Sequence, residues 1–421
     1  MGYYTGDVNG AIGIFPDPYY WWEAGAVWGA MVDYWYLTGD DQYNDVVSEA
    51  LQSQVGPNAN YMPPNQTRTL GNDDQAFWGL AALTAAERSF PRPPPNQPQW
   101  LALAQAVFDS QAPRWDTGTC GGGLKWQIFT FNSGYNYKNA ISTGTFFQLA
   151  ARLYQYTGNQ TYADWATTAY EWATNVGLIN DEYHIFDGTD DTTNCTQINH
   201  IQWSANAGLF IYGSAVMYNM TSSNTWRTRT DSLLSANLRI FTYSVESQPS
   251  GGIPDVIYEP ACEPIGRCNV DQLAFRGLFA RWLSRTAIAA PFTTDAIFPV
   301  LGVSAEAAAE ACDPECGARW YRPGDNAERG LSPQLSALEV IQANLVGQAR
   351  RFADGNSSTV GSGNGTGMAP NGTQGAPNGT QATASGTSAP IETQSTNTAP
   401  GSAVCGAVAV IVAGLAIAGL L

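Results

Sequence analysis

Asp73 and Asp74 are adjacent carboxylates in Gly71-Asn72-Asp73-Asp74-Gln75-Ala76-Phe77-Trp78, a stretch that continues apolar at helical spacing through Leu80, Leu83 and Ala86. Asn72 or Asp73 is the expected N-cap, which puts both acids on the first turn of a helix. Answering the helix dipole, at ~0.3–1 kcal/mol each, is one reason for acids there. A second chemistry fits the same residues. Breaking a glycosidic bond takes one carboxylic acid to protonate the leaving oxygen and one carboxylate to act at the anomeric carbon, and retaining enzymes hold the two ~5–5.5 Å apart. Successive mid-helix side chains splay by about 100°, whereas a loop-to-helix junction can turn both toward one cavity. Two close carboxylates also push their pKa values apart, so that one stays protonated near neutral pH.

The elements that must position this pair alternate along the chain. Helices rich in Trp, Phe and small residues on all sides are expected at about 22–37, 73–87, 138–156, 202–219, 271–285 and 331–346. More amphipathic ones are expected at about 41–54, 98–111, 160–175, 224–243 and 293–311. Helices apolar all round are buried and amphipathic ones lie outside. The pattern predicts an all-α fold, an (α/α)6 barrel of inner and outer helices, over residues 1–352. Loops 56–71, 112–137, 177–201, 244–270 and 312–330 each precede an inner helix, so they gather at one mouth with Asp73 and Asp74, where loops carry function. Tyr3-Tyr4-Thr5-Gly6-Asp7 repeats Tyr36-Leu37-Thr38-Gly39-Asp40, where Gly closes a helix. By analogy Tyr3 and Tyr4 are expected to be the last turn of a sixth outer helix whose body, with a signal peptide, precedes the sequence given.

Composition narrows the ligand. Only 13% of residues are charged, while the chain holds 14 Trp, 20 Tyr and 16 Phe, which suits neutral ring-shaped ligands. A formal net charge of −17 argues against nucleic acid and anionic lipid. With two histidines and no metal-ligand spacing, neither a metal nor a cofactor is expected. Cys405 lies in an apolar tail; the other six cysteines allow 15 pairings. Proximity favours Cys262 with Cys268 and Cys312 with Cys316, which leaves Cys120 with Cys195. Sequons at Asn65, Asn159, Asn194 and Asn219, and four more beyond residue 352, fit a glycosylated, disulfide-bonded secretory protein.

Residues 353–402 read as a disordered, glycosylated stalk rich in Gly, Ser, Thr, Asn and Pro. Residues 403–421 are apolar and without basic flanks. Small residues, a short spacer and such a tail form a GPI-attachment signal, with Asn397 the expected site and Ser395 the alternative. A transmembrane helix is the competing reading, and basic flanks would favour it.

Trp21, Trp22, Trp78, Trp126 and Trp203 are candidate sugar platforms, although taken singly each is more often a core residue, since buried helices need large apolar side chains. Glu23, Asn139, Gln202, Asn206 and Asp271 fall at inner-helix starts, where they bind sugar hydroxyls or serve as caps and buried hydrogen-bond partners.

With these residues in place the chain resembles glycoside hydrolase family 76, and within it the fungal GPI-anchored mannanase-like proteins of cell-wall biogenesis. The resemblance rests on Pro18-Tyr19-Tyr20-Trp21-Trp22-Glu23-Ala24-Gly25, Asn72-Asp73-Asp74-Gln75-Ala76-Phe77-Trp78, Cys120-Gly121-Gly122-Gly123-Leu124-Lys125-Trp126, Gln202-Trp203-Ser204 and Asp271-Gln272. It departs at Thr143, Ala205 and Arg276, where the family pattern usually has Asn, an aromatic and Lys. The resemblance implies Asp73 as nucleophile and Asp74 as acid/base, and singles out Asp271 among the binding candidates. It implies a retaining glycosidase or transglycosylase of α-1,6-mannosides, a monomer held at the cell surface by its GPI anchor. The donor would be an α-mannoside or GPI-core glycan and the acceptor cell-wall glucan. A plain endo-α-1,6-mannanase and a carbohydrate-binding wall protein with a spent site are the alternatives. A prenyl-diphosphate enzyme would want a third acid at position 77, where Phe77 stands.

Overall fold

Inner helices that are apolar all round can be satisfied only by being surrounded, and that demand organises the structure. The computed structural model describes residues 2–6, 12–246, 251–322, 324 and 328–347. The stalk at 353–402, the tail at 403–421, Asn397 and Cys405 lie outside these residues.

Among the described residues eleven α-helices form. The inner ones are α1 (Trp21–Thr38), α3 (Asn72–Glu87), α5 (Ala140–Thr157), α7 (Ser204–Thr221), α9 (Val270–Ala289) and α11 (Leu331–Ala343). Each packs on the next, and α11 returns to α1 to close the ring. The outer helices α2 (Asn44–Ser53), α4 (Trp100–Gln111), α6 (Gln160–Asn175), α8 (Asn224–Phe241) and α10 (Thr294–Glu310) lie against this ring, as the (α/α)6 pattern requires. Gly39 and Gly158 end α1 and α5 in the left-handed conformation.

The N-terminal residues depart from expectation. Residues 2–6 form a turn rather than a helical end. Tyr4 instead packs edge-on against Trp28, on which Phe15 stacks.

A second departure is a small antiparallel sheet, β1 (Tyr137–Asn139), β2 (Gly188–Asp190) and β3 (Ile198–Asn199), in the order β1-β2-β3. The inner helix expected from 138 therefore starts at Ala140, with Lys138 and Asn139 in a strand. Lys138 is fully buried, its ammonium donating to the carbonyls of Asp116, Thr119 and Gly122. This ties the sheet to the loop that carries Cys120. The cysteines pair as proximity predicts: Cys120–Cys195, Cys262–Cys268 and Cys312–Cys316.

The end of the barrel opposite the loops is plugged by charge. Asp33 of α1 pairs with Arg281 at 2.8 Å, with Arg88 at 3.2 Å and with Arg285. Arg152 pairs with Glu87 at 2.8 Å and Arg281 with Glu339 at 3.2 Å. Buried charges persist only when paired in this way.

Candidate active site

The loops and inner-helix N-termini enclose a cavity of about 580 Å³. Asp73, Asp74, Trp22, Trp126, Asn139, Trp203, Asn206 and Asp271 all line it, so the structure brings together most of the expected site residues.

The N-cap of α3 is Gly71, one residue before the expected position, so Asn72, Asp73 and Asp74 are the first three helical residues. Cβ atoms lean toward a helix N-terminus, and here both carboxylates fold back over it. Asp74 Oδ2 accepts a hydrogen bond from the Gly71 N–H at 2.6 Å. A Cβ at position 71 would collide with Asp73 Oδ1 and stand 3.0 Å from Asp74 Oδ2. Both oxygens thus crowd one point, within the ~5–5.5 Å that retaining glycosidases use. The space left by a missing side chain lets neighbouring acids converge although their helical directions diverge.

Each carboxylate has its own surroundings. Asp73 is buried; its Oδ2 accepts from Trp126 Nε1 at 3.1 Å and its Oδ1 from Ser142 Oγ at 3.3 Å. Trp126 is held in place because the Asn72 N–H donates to its carbonyl at 2.8 Å and the Asn72 carboxamide to the Lys125 carbonyl, also at 2.8 Å. Burial raises the pKa of Asp73, opposed by backbone N–H groups of the helix start and by Trp126 and Ser142. Burial raises Asp74 well above the usual carboxylate range; the charge of Asp73 raises it further and the Gly71 N–H opposes. Both acids are thus raised, Asp74 further than Asp73, so Asp74 is the one that keeps its proton to higher pH.

Across the cavity two more carboxylates are oriented by indoles. Asp271 Oδ1 accepts from Trp22 Nε1 at 2.8 Å. Asp187 accepts from Trp203 Nε1 at 3.1 Å, from the Tyr137 hydroxyl at 2.6 Å and from Asn199 at 3.2 Å. Burial raises both acids. Asp187 was not among the sequence candidates. Its surroundings, with Gly188, Asp190 and Asp191 nearby, read as turn chemistry, and only its place in a loop ahead of an inner helix marks it.

Three candidates behave differently. Trp78 is fully buried, stacked on Trp21, and donates its N–H to the Trp21 carbonyl at 3.1 Å. It supports the mouth from beneath and does not line the cavity. Glu23 is fully buried too, outside the cavity lining. Burial pushes it up to about 8, with the Ser332 hydroxyl opposing and the Asp271 charge adding. Asn139 lines the cavity but also caps α5, accepting from the Ser142 N–H at 3.1 Å; it thereby fixes the serine that bonds Asp73. Trp126, 37% exposed, keeps an open indole face, the geometry on which a sugar ring stacks.

The model for glycosyl hydrolase family 76 matches residues 1–356. The chain is similar to mannan endo-1,6-alpha-mannosidase DCW1 of Candida glabrata, 48% identical over 375 residues that make up 87% of this chain and 81% of that one. Among solved structures it is similar to Dfg5 from Chaetomium thermophilum in complex with glucosamine, at 44% identity and a TM-score of 0.76, covering 83% of this chain and 88% of that one. An inactive variant of the alpha-1,6-mannanase GH76A of Salegentibacter sp. HEL1_6, with two consecutive aspartates changed to alanine and in complex with alpha-1,6-mannotetrose, shares the fold at 18% identity. Its TM-score is 0.61, over 78% of this chain and 89% of that one.

Proposed function

The chain belongs to glycosyl hydrolase family 76, and from that membership we propose that it cleaves α-1,6-mannosidic linkages by a retaining mechanism at Asp73 and Asp74. The observation that carries the reading is the pair of carboxylates crowded over Gly71 on a cavity lined by indoles. Asp73, ionised and held by Trp126 and Ser142, attacks the anomeric carbon. Asp74 gives its proton to the leaving oxygen and then, as base, takes one from the incoming hydroxyl. Trp22, Trp126 and Trp203 border the sugar, and Asp187, Asp271, Asn139 and Asn206 take its hydroxyls. The name of the Candida glabrata relative supports the linkage.

The covalent intermediate is resolved by water or by a sugar hydroxyl, whichever the site holds better. In the cell the reading is transglycosylation: a monomeric enzyme, anchored through a GPI group at Asn397 to the outer leaflet, takes the mannose part of a GPI glycan as donor and passes it to wall glucan. The support is the composition of residues 353–421, since a surface anchor would hold the enzyme where GPI glycoproteins and wall polymers meet. The test supplies a labelled GPI-core mannoside with and without β-glucan oligosaccharide. A coupled product, with weak release of free sugar in dilute solution, is expected. Fast release unchanged by acceptor marks a plain mannanase, and no turnover of any α-1,6-mannoside removes the enzymatic reading.

The role of Trp126 has its own measurement. Trp126→Phe keeps the aromatic face but removes the N–H that favours ionised Asp73, so the pKa of Asp73 rises. The acid limb of kcat/KM should move up by about one unit, since one unit corresponds to 1.36 kcal/mol and a hydrogen bond to a charged group is worth ~1.5–3 kcal/mol. Activity then falls about tenfold below the limb and less above it. An acid limb unmoved by the substitution would remove the indole from Asp73's support.

A further inference from the structure

A second hollow of about 670 Å³, sharing no lining residue with the cavity of Asp73 and Asp74, lies between α6 and the Cys120–Cys195 disulfide. Its floor is two indoles, Trp115 and Trp172, packed edge to face with centroids 5.7 Å apart. Its rim carries Thr168, Glu171 and Asn175 from α6. Trp172 spends its N–H on the Cys120 carbonyl at 3.1 Å. The Trp115 N–H and the Asn175 carboxamide have no hydrogen-bond partner among the described residues. Apolar ring faces beside free donors and acceptors make a surface for a sugar, and the volume falls in the range of small-ligand sites.

Asn194, also on this rim, is the acceptor of the sequon Asn194-Cys195-Thr196. It is exposed, in the left-handed conformation at φ 52°, and its carboxamide has no partner among the described residues. Of the other described sequons, Asn65 is also exposed without a side-chain partner among the described residues but does not line this hollow. Asn219 donates its Nδ2 to the Ala289 carbonyl at 3.0 Å, and Asn159 caps α6.

We infer that Asn194 carries an N-linked glycan whose first N-acetylhexosamines lie in this hollow, over Trp115, and cover the Cys120–Cys195 disulfide. The attachment joins Asn194 Nδ2 to the anomeric carbon of a lipid-diphosphate-linked oligosaccharide. The bond from that carbon to the diphosphate breaks, the diphosphate leaves with the electron pair, and Nδ2 gives up one of its two protons. The inference rests on passage through the secretory route, for which the three disulfides are separate support. The docked sugar takes the Trp115 N–H and the Asn175 carboxamide as partners, and its bulk keeps reductants from the disulfide.

The test uses the full chain secreted from a fungal host. Glycopeptide mass spectrometry should find Asn194 occupied. Peptide N-glycosidase acting on the folded protein should release that glycan at least about tenfold faster from the Trp115→Phe, Asn175→Ala double variant than from the parent. Thr196→Ala, which removes the sequon and leaves Asn194, should speed reduction of Cys120–Cys195 by dithiothreitol at least about fivefold with mannoside turnover unchanged. If Thr196→Ala fails to fold, the release rates decide alone. An unmodified Asn194 overturns the inference, and so does a glycan released equally fast from parent and double variant.

Discussion

Asp73→Asn and Asp74→Asn should each lower kcat/KM on an α-1,6-mannoside by about 10³-fold or more, which is about 4 kcal/mol of transition-state stabilisation, with the fold intact. Asparagine is nearly isosteric: at position 73 its oxygen can still accept from Trp126 Nε1 while its NH2 donates to the Ser142 hydroxyl, and at position 74 its oxygen can still accept from the Gly71 N–H. The loss is therefore chemical. The two variants should also differ from each other. Asp73→Asn has no nucleophile and stays inactive even on an aryl mannoside whose leaving group needs no proton. Asp74→Asn should form the glycosyl-enzyme from that aryl mannoside at a near-normal rate and stall at the second step, where a small anion such as azide restores turnover. A variant with normal circular dichroism and near-normal turnover would sink the assignment, and the reverse pattern on the aryl substrate would exchange the roles.

The second large effect is on stability. Asp33 faces three guanidinium groups, and Arg285 and Arg281 hold its carboxyl far below the usual range against a large cost of burial. Asp33→Asn removes the anion and leaves the arginines buried without it, a change worth about 3–5 kcal/mol. In a chain of this size that lowers Tm by roughly 5–10 °C. The sign of the pH dependence follows from the depressed pKa. The stability contributed by Asp33 is fully present above the ordinary aspartate value of ~3.9 and is lost as pH falls toward the lower folded value. The gap in Tm between parent and variant should be constant through neutral pH and narrow below about pH 4. Glu339, in the same network, runs the other way. Burial pushes it up to about 7, so its contribution declines as pH rises from the ordinary glutamate value of ~4.3 toward 7. A gap in Tm below about 1 kcal/mol equivalent at pH 7 would mean that water reaches this end of the barrel and screens the charges.

What could be read in the sequence follows from the range over which each signal acts. The eleven helices were legible because burial on all sides or on one side is written along their whole length, and their ends at Gly39 and Gly158 carry a local conformational demand. Asp73 and Asp74 stood out as a pair at a helix start. The sheet was not legible: strands of two or three residues are too short for alternation to register. That omission hid Asp187, which is aimed by Tyr137 and Asn199 on two of those strands and by Trp203. The cap was misplaced by one residue because Asn and Asp are the usual caps, whereas here the requirement is for space beside two carboxylates, which only Gly71 gives. Trp78 and Glu23 sat in the right helical turns, but a turn has four directions and the sequence does not say which one faces the cavity.

The closure of the ring by α11 on α1 has a consequence for how the protein is made. The polar partners of α1 and its approach are far away in sequence: Asp271 for Trp22, Arg285 for Asp33, Gln342 for the Ala30 carbonyl, and the Leu331 N–H for the Tyr19 hydroxyl. Synthesis proceeds from the N-terminus at roughly 5–20 residues per second, so α1 leaves the ribosome many seconds before α9 and α11 exist. Throughout that interval a helix built to be buried on every side has only α2 and α3 to cover it. Chains stopped before α9 therefore display an apolar stripe together with Asp33 lacking Arg281 and Arg285, the kind of surface that chaperones hold and other unfinished chains adhere to. Among the described residues the last helix to be translated is the one that finishes the first, and quality control can read the state of the entire barrel from whether α1 is covered.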